Sequence, residues 1–297
     1  MKKLVFTLEL MGGIGNQLFQ LSAGLLLKKR LSASISLDFS LVNSQHANRK
    51  FTFIPYLKDT SIEVCEPNQA QLQLRRLQKK FTRDLRSVSK GLLEVTTIFN
   101  YFIPQEVGFD DSFLKLNKST RVNGYFQSFK FADSQLISDA LNLEPQSDWA
   151  KEMVASALES NPISVHLRRG DYLKEKDFGL LSVTYYRRAL GELDTANREI
   201  WIFSDDFKAA QLLCENLNIE ANCRVIQTPS YVHPLDEILI LSHCQDSVIA
   251  NSTFSWWGAF LNQRGGTVIA PDKWFKAKND PIALIPPNWR KIPSDWE

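Results

Sequence analysis

The second half of the chain alternates short β-branched runs with amphipathic helical segments, and this alternation restricts the possible folds more than any other feature. Strands that alternate with helices along a chain form a parallel sheet with helices packed on its faces. The pattern therefore predicts a Rossmann-like domain. Its predicted strands cover residues 163–167, 199–203, 224–226, 247–250 and 267–270.

The start of the chain indicates a second domain of the same kind. An apolar run over residues 3–10 leads into the glycine-rich stretch 12–15, a helical segment over 16–30 and another apolar run over 34–39. Strand, tight loop, helix and strand make one parallel unit. We therefore predict an α/β protein with two Rossmann-like domains facing a cleft. The predicted domains are residues 1–145 and 146–297.

The segment over residues 67–91 predicts an amphipathic helix. Its apolar residues recur at helical spacing and its basic residues lie on other faces, so we expect the apolar stripe to pack on the core and the basic side to face solvent. The alternative is a surface that rests on anionic lipid headgroups or meets a charged acceptor. The apolar residues are Leu74, Leu77, Phe81, Leu85 and Val88, and the basic ones are Arg75, Arg76, Lys79, Lys80, Arg83, Arg86 and Lys90.

Charge and composition argue against several classes of protein. A formal net charge of +2 gives no general reason to expect nucleic-acid binding. The four cysteines form no CxxC pair and predict small, buried free thiols in a reducing compartment, with disulfides or a metal site as the alternative. No apolar stretch reaches the roughly 18 residues of a membrane span, and the apolar start lacks a signal-peptide cleavage site. We therefore expect a cytoplasmic protein.

Polar residues gather where the predicted strands of the second half end, which is where open α/β sheets bind ligands. Arg168 and Arg169 follow the first of these strands, with Gly170 and Asp171 directly after them. Two guanidinium groups pair well with the oxygens of a diphosphate, and a glycine allows close approach of the backbone. The alternative is a structural arginine–aspartate network at a domain interface.

Two further strand ends carry polar groups. The stretch 251–255 offers hydroxyl and backbone N–H groups to an anion at a helix start, although Ser and Thr are equally ordinary helix caps. Asp205 and Asp206 suit a purine edge or a ribose, because a carboxylate accepts two donors in parallel, and a helix cap is again the alternative. The pair Trp256 and Trp257 is expected in the core, and the alternative is that it faces the ligand.

The glycine loop near the start matches neither of two well-known nucleotide loops. Leu18 stands where GxGxxG requires its third glycine, and no Gly-Lys-Ser/Thr follows, so dinucleotide oxidoreduction and NTP hydrolysis both lose their main support. The histidines His46, His233 and His243 have no ligand-like spacing and are expected to be structural or at the surface. No metal site is predicted.

Taken in order along the chain, the segments GGIGNQLFQ, HLRRGDY, SDD and NSTFSWWGAFL resemble the α-1,2-fucosyltransferases. The resemblance covers nearly the whole chain and implies a GT-B-like fold. It implies an inverting, metal-independent transfer of L-fucose from GDP-β-L-fucose, which is a substrate and not a cofactor, to the 2-hydroxyl of a terminal β-galactoside. Residues 146–297 would hold the donor and residues 1–145 would lie mainly on the acceptor side.

The same resemblance assigns roles to individual residues. Arg168 would contact the β-phosphate and stabilise the leaving charge, with Arg169 in support, and His166 and Asp205 would contact the guanine or ribose. A base would accept the acceptor's proton; Asp171 is a candidate, Glu175 and Asp177 are rivals, and the family can depend mainly on leaving-group stabilisation. The remaining donor contacts would be Gly13, Gly15, Asn16, Asn251, Ser252, Thr253, Phe254 and Ser255.

The resemblance also implies a biological setting. Without a membrane anchor, the chain resembles a bacterial form that acts in surface-polysaccharide assembly, in the cytoplasm or peripherally at the inner face of the membrane, on lipid-linked acceptors. Three alternatives stay open at this stage. They are a GDP-sugar transferase of different linkage or sugar, a non-catalytic sugar-nucleotide- or glycan-binding module, and, least favoured, a dinucleotide oxidoreductase.

Overall fold

The computed structural model describes residues 3–43, 51–88 and 100–297, without the side chains of 83 and 85–88. These residues form two compact units. The N-terminal unit comprises Met1–Asn142 with the short segment Pro281–Leu284, and the C-terminal unit comprises Leu143–Asp280 with Ile285–Glu297. The sequence suggested two continuous ranges, so it did not predict that residues 281–284 belong to the N-terminal unit.

The N-terminal unit contains a five-stranded parallel sheet in the order β3-β2-β1-β5-β4. Because β1 pairs with both β2 and β5, the chain reverses its direction across the sheet between these strands. The strands are β1 Val5–Glu9, β2 Ser34–Asp38, β3 Ile62–Cys65, β4 Tyr101–Phe102 and β5 Thr120–Val122. The helices are α1 Ile14–Leu31, α2 Ser40–Asn43, α3 Gln69–Val88 and α4 Ser134–Ala140.

The C-terminal unit contains a six-stranded parallel sheet in the order β11-β10-β9-β6-β7-β8. The reversal of strand order falls between β6 and β9. The strands are β6 Ile163–Leu167, β7 Glu199–Ser204, β8 Asn222–Ile226, β9 Asp246–Val248, β10 Val268–Pro271 and β11 Arg290–Ile292. The helices are α5 Asp148–Ser160, α6 Val183–Gly191, α7 Phe207–Asn216, α8 Pro234–His243 and α9 Thr253–Phe260.

The two parallel sheets confirm the predicted α/β class with Rossmann-like topology. In β6 every residue is buried, as expected of a central strand covered by helices on both faces. Trp256 and Trp257 on α9 have no exposed surface, so their predicted place in the core is confirmed. Each predicted strand is present within a few residues, whereas β3, β4, β5 and β11 were not predicted; they are two to four residues long.

Helix α3 forms where the sequence predicted it, but the three members of its apolar stripe whose side chains are described are exposed, so their expected packing on the core is wrong. Leu74, Leu77 and Phe81 are 57%, 53% and 51% exposed, whereas Thr82 is 1% exposed. The side chain of Arg75, only 11% exposed, faces the sheet and pairs with the buried Asp38 across 3.1 Å. The predicted members Leu85, Val88, Arg83 and Arg86 have side chains outside the described part, and Lys90 lies outside it entirely.

Two further expectations concern the whole chain. The four cysteines are free thiols; Cys244 is buried as predicted, whereas Cys65, Cys214 and Cys223 are partly exposed. Over residues 3–43, 51–88 and 100–297, no helix has both the length and the apolar character needed to cross a bilayer.

Candidate nucleotide site of the C-terminal unit

The candidate site lies beyond the carboxyl ends of β6, β7 and β9. The strand order reverses between β6 and β9, and in open α/β sheets such a reversal is where ligands bind, because the connections leave in opposite directions. The loop after β6 carries the arginine pair, and the loop after β9 leads into α9. The Tyr172 hydroxyl donates a hydrogen bond to the carbonyl oxygen of Asn251 across 2.9 Å, which joins these two loops.

Arg168 is held between two carboxylates. Its Nη1 lies 2.7 Å from Asp205 Oδ2, and its Nη2 pairs with Asp171 Oδ1. The guanidinium also lies 5.2 Å from the centre of the Tyr172 ring, within cation–π range. The side chain is 25% exposed, and its buried Nε has no hydrogen-bond partner among the described residues. Arg168 is thus oriented by acidic neighbours, and one of its donors is buried without a hydrogen-bond partner in the described residues.

Arg169 and Gly170 complete the turn after β6. The Arg169 backbone N–H donates to Asp205 Oδ1 across 2.9 Å, and its side chain pairs with Glu297 at 2.5 Å. Its Nε, like that of Arg168, lacks a partner within the described chain. Gly170 has φ +24°, and a Cβ there would lie 2.3 Å from Asp205 Oδ2. The glycine therefore allows the carboxylate of Asp205 to reach the arginines.

His166 occupies the fourth position of β6 and is buried beneath this loop. It is 4% exposed, its ring stacks on Phe254 at 5.5 Å, and its Nδ1 has no partner in the described residues. Burial, and secondarily the charge of Arg168, lower the pKa of His166 to about 3. The imidazole is therefore neutral at neutral pH, which suits a hydrogen bond to a ligand and gives no cation for the phosphates.

In the loop over residues 251–255, some side chains fix the local structure and others are partly exposed. The Asn251 amide donates to the carbonyl oxygens of Phe178, Gly179 and Trp274, so this side chain fixes the loop. The other donor contacts predicted in this loop are likewise partly structural and partly exposed. Ser252 caps α9 by accepting from the Phe254 N–H, Ser255 donates to the Ser252 carbonyl, and Thr253 and Phe254 are partly exposed.

The adjacent aspartates after β7 have separate roles. Asp206 caps α7 by accepting a hydrogen bond from the Ala209 N–H at 3.0 Å, which is the cap alternative of the sequence. Asp205 instead turns toward Arg168 and the Arg169 backbone. The two carboxylates therefore do not form one bidentate group.

The three candidate bases lie in different surroundings. Asp171 is paired with Arg168 and its side chain is 31% exposed. Asp177 pairs with Lys278 at 3.3 Å, and Glu175 is exposed at the end of the 3-10 turn Gly170–Lys174. Of the three, Asp171 is the one with a direct contact to the arginine pair.

One carboxyl group near the site was not singled out from the sequence. Glu237 lies in the first turn of α8 and accepts a hydrogen bond from the Thr228 hydroxyl at 2.5 Å. Burial, with a contribution from the charge of Asp205, raises the pKa of Glu237 to about 7. Such shifts are common at functional sites. The positions of these two residues in the sequence could have indicated this, since Thr228 follows β8 and Glu237 lies in the first turn of the next helix.

The predicted glycine contacts belong to the N-terminal unit. Gly12 adopts φ +77°, Gly13 precedes the first turn of α1, and Gly15 is buried within that helix. A Cβ on Gly13 would meet nothing within 4 Å, so a ligand could approach its backbone closely. Asn16 Oδ1 accepts a hydrogen bond from Gln127 at 2.8 Å.

No group of three or more His, Cys, Asp or Glu side chains in the described parts of the chain has the arrangement of a metal site. The arginine pair provides positive charge at the candidate site. That the reaction needs no metal stays a prediction.

Comparison with known proteins places these features in one family. The model of glycosyl transferase family 11 matches residues 1–292. The chain is 29% identical to the O-antigen biosynthesis glycosyltransferase WbnK of Escherichia coli, over 91% of this chain and 95% of WbnK. It is 25% identical to an alpha-1,2-colitosyltransferase of Escherichia coli, over 96% of this chain and 97% of the relative.

A eukaryotic relative and a solved structure agree with this. The chain is 26% identical to a galactoside 2-alpha-L-fucosyltransferase of Caenorhabditis elegans, over 94% of this chain and 77% of that protein. Its fold is similar to Arabidopsis thaliana FUT1 in a complex with GDP, with a TM-score of 0.55 and 11% identity over 91% of this chain and 70% of FUT1. The GT-B-like α/β class is thereby confirmed. Since the family model spans almost the entire sequence, the chain belongs to glycosyltransferase family 11.

Proposed function

We propose that this glycosyltransferase moves L-fucose from GDP-β-L-fucose to the 2-hydroxyl of a terminal β-galactoside. The observation that carries the proposal is the arginine pair at the strand-order reversal of the C-terminal sheet, with Arg168 fixed by Asp171 and Asp205. Guanidinium groups fixed in this way match the oxygens of a diphosphate. The relatives named for 2-linked fucosyl and colitosyl transfer support the type of linkage.

The reaction is a direct displacement with inversion. The bond between the fucose anomeric carbon and the β-phosphate oxygen breaks, and its electron pair leaves with GDP. The acceptor's 2-hydroxyl oxygen bonds to the same carbon from the opposite face and gives its proton to a base or to water. Arg168 stabilises the negative charge that develops on the leaving β-phosphate, which is where such a cation lowers the barrier most.

The positive charge of Arg168 is already neutralised by neighbouring carboxylates. Without a ligand, Asp171 and Asp205 balance the Arg168 charge. A diphosphate that reaches the arginine competes with these carboxylates for its donors. The carboxylate of Asp171 would then lose a partner close to the reacting centre, which keeps it as the first candidate for the base. His166 and Glu237 are proposed to hold the nucleoside through neutral or weakly charged hydrogen-bonding groups.

The direct test is GDP release from GDP-fucose and lactose in the presence of EDTA. We expect the wild-type chain to turn over with EDTA present and Arg168→Ala to lose about 10²–10³ in kcat, as for removal of other transition-state charge partners. Product linkage is read by NMR. The matched control is Arg290→Ala, which removes an arginine that pairs with Glu192 in the same unit at 2.8 Å.

Two outcomes would contradict the proposal. Abolition of turnover by EDTA, with recovery on adding a divalent cation, would show that Arg168 is not the principal cation at the leaving group. Full activity of Arg168→Ala would show that Arg168 has no role in the reaction. Circular dichroism and thermal melting of both variants distinguish loss of activity from loss of fold.

A second donor is favoured by one specific observation, the similarity to an alpha-1,2-colitosyltransferase over nearly the whole chain. GDP-fucose and GDP-colitose are therefore compared under the same conditions, with lactose and a lipid-linked β-galactoside as acceptors. We expect GDP-fucose to have the higher kcat/KM. A preference for GDP-colitose would keep the 2-linked transfer and replace the sugar. GDP binding without transfer to any acceptor would favour a non-catalytic module.

A further inference from the structure

Helix α3 presents the described part of its apolar side, residues 74–81, to solvent. Leu74 and Leu77 are more than half exposed, and Phe81, one turn further along, is half exposed. Residues three and four apart lie on one side of a helix, so these three form a continuous strip. We call this strip the outer face of α3. An apolar strip at the surface is unusual for an amphipathic helix, which normally buries its apolar side.

The orientation of α3 is fixed from the opposite side. Arg75 donates to Ser40 at 2.6 Å and to Asp38 at 3.1 Å, and its Nε lies 3.4 Å from the buried Glu9. Thr82, two turns later on the same side, is also buried. A rotation of the helix that buried the leucines would break the Arg75 contacts and leave the two buried carboxylates with Arg121 in place of two arginines, which is costly. The outer face is therefore a stable feature of this unit.

Positive charge borders the outer face. Arg76 and Lys80 are exposed and lie one turn apart on the helix. The helix sequence has six basic residues and one acidic residue, Asp84, and of the basic ones Arg75 is neutralised by its buried partners. An exposed apolar strip beside cationic side chains is the pattern of helices that lie in the interface of an anionic bilayer.

We propose that the outer face of α3 binds the surface of an anionic lipid bilayer, with the leucines entering the headgroup region and Arg76 and Lys80 pairing with lipid phosphates. The strip alone would fit any apolar partner, and the adjoining cations select an anionic surface. This binding needs neither the donor nor the arginine pair of the C-terminal unit. Its success or failure is therefore independent of the proposed reaction.

The test is sedimentation of the purified full chain with vesicles. One set contains phosphatidylcholine alone and the other contains equal parts of phosphatidylcholine and phosphatidylglycerol. We expect binding to the anionic set and little to the neutral set. Leu74→Gln with Leu77→Gln should abolish most of the binding, and each of Arg76→Gln and Lys80→Gln should weaken it about fivefold.

The matched control removes two exposed leucines from helices of the other unit. Leu158 on α5 and Leu212 on α7 are 51% and 58% exposed, nearly the same as the two leucines of α3. Leu158→Gln with Leu212→Gln should leave vesicle binding unchanged. Turnover of a soluble acceptor should be unchanged in every variant of this series, which shows that each one is folded.

Three results would overturn the proposal. They are no binding of the wild-type chain to anionic vesicles, equal binding to neutral vesicles, and unchanged binding after both leucines of α3 are replaced. A wild-type chain that ignores vesicles but self-associates in analytical ultracentrifugation, and becomes monomeric in Leu74→Gln with Leu77→Gln, would assign the outer face to a second copy of this chain instead.

Discussion

The carboxyl edges of the two sheets carry similar sets of charged residues arranged in opposite ways. At the N-terminal edge, Glu9 and Asp38 have side chains with no exposed surface, and Arg75 and Arg121 close over them from outside. Tyr101 and Asn123 donate two further hydrogen bonds to Glu9, at 2.7 and 2.8 Å. The acids of this cluster are buried, and arginines lie on their outer side.

At the C-terminal edge the arrangement is reversed. Arg168 and Arg169 emerge beside the buried, neutral His166, and carboxylates that are 29–43% exposed pair with the arginines from outside. The Nε atoms of both arginines lack partners in the described residues. The comparison shows that charged residues at a sheet's carboxyl edge do not by themselves identify an anion site. The buried groups must also offer unused donors, as they do in the C-terminal unit alone of these two clusters.

The largest expected difference concerns the aspartates that pair with the arginines. Asp38→Asn should lower the free energy of unfolding by about 3 kcal/mol, because it removes a buried partner of two arginines. Asp205→Asn should cost under about 1 kcal/mol, since its ion pair is partly solvated. Urea unfolding of each variant, followed by far-UV circular dichroism, measures both. Equal losses of stability would remove the distinction between a structural and an available cluster.

The second difference concerns His166 and pH. Because its pKa falls from about 6.5 in the unfolded chain to about 3 in the folded one, the unfolded state binds the proton first. Stability should therefore be retained above pH 6.5 and lost as pH falls toward 3. Between pH 7 and 5 the wild-type chain should lose about 2 kcal/mol more than His166→Gln.

Urea unfolding of the wild type and of His166→Gln at pH 7 and pH 5 measures how much stability each protein loses between the two pH values. The cost of the substitution itself cancels when the two losses are compared. A parallel loss of stability in the wild type and in His166→Gln would contradict the neutral, buried imidazole. It would also remove the contrast with the acidic interior of the N-terminal cluster.

The smallest expected effect separates two neighbouring glycines of the N-terminal unit. Gly12→Ala should cost about 1 kcal/mol, because φ +77° disfavours any side chain. Gly13→Ala should leave the melting temperature unchanged, since its Cβ would meet open space. If Gly13 contacts the donor as predicted, this variant should still raise the KM for GDP-fucose. An unchanged KM would leave the N-terminal glycines with a purely structural role.

Much of the C-terminal unit could be predicted from the sequence. The strand 163–167 was found with its correct ends because a short, largely apolar and β-branched run between a helical segment and an arginine pair gives a strong local signal. The short strands β4 and β5 gave no such signal, since two or three residues cannot show a period. They form through pairings between distant segments: β5 pairs with the second side of β1, and β4 pairs with β5.

The prediction of which face of α3 packs on the protein failed for a different reason. Periodicity located the helix and its two sides, and the apolar side was expected to be buried. The contacts of Arg75 with Asp38 and Glu9 decided otherwise. These residues are far apart in the sequence, so no local pattern could indicate that the helix would be held through its charged side.

The sequence by itself determined the α/β alternation, the place of the arginine pair at a strand end and the family. These depend on residues adjacent in the chain, whose periodicity and spacing survive without a structure. Only the tertiary structure decided that Asp205 turns to Arg168 while Asp206 caps a helix, that Glu237 approaches the site, and that α3 faces outward. Each of these depends on burial and on charges brought together from distant segments, and those energies exist only once the chain has folded.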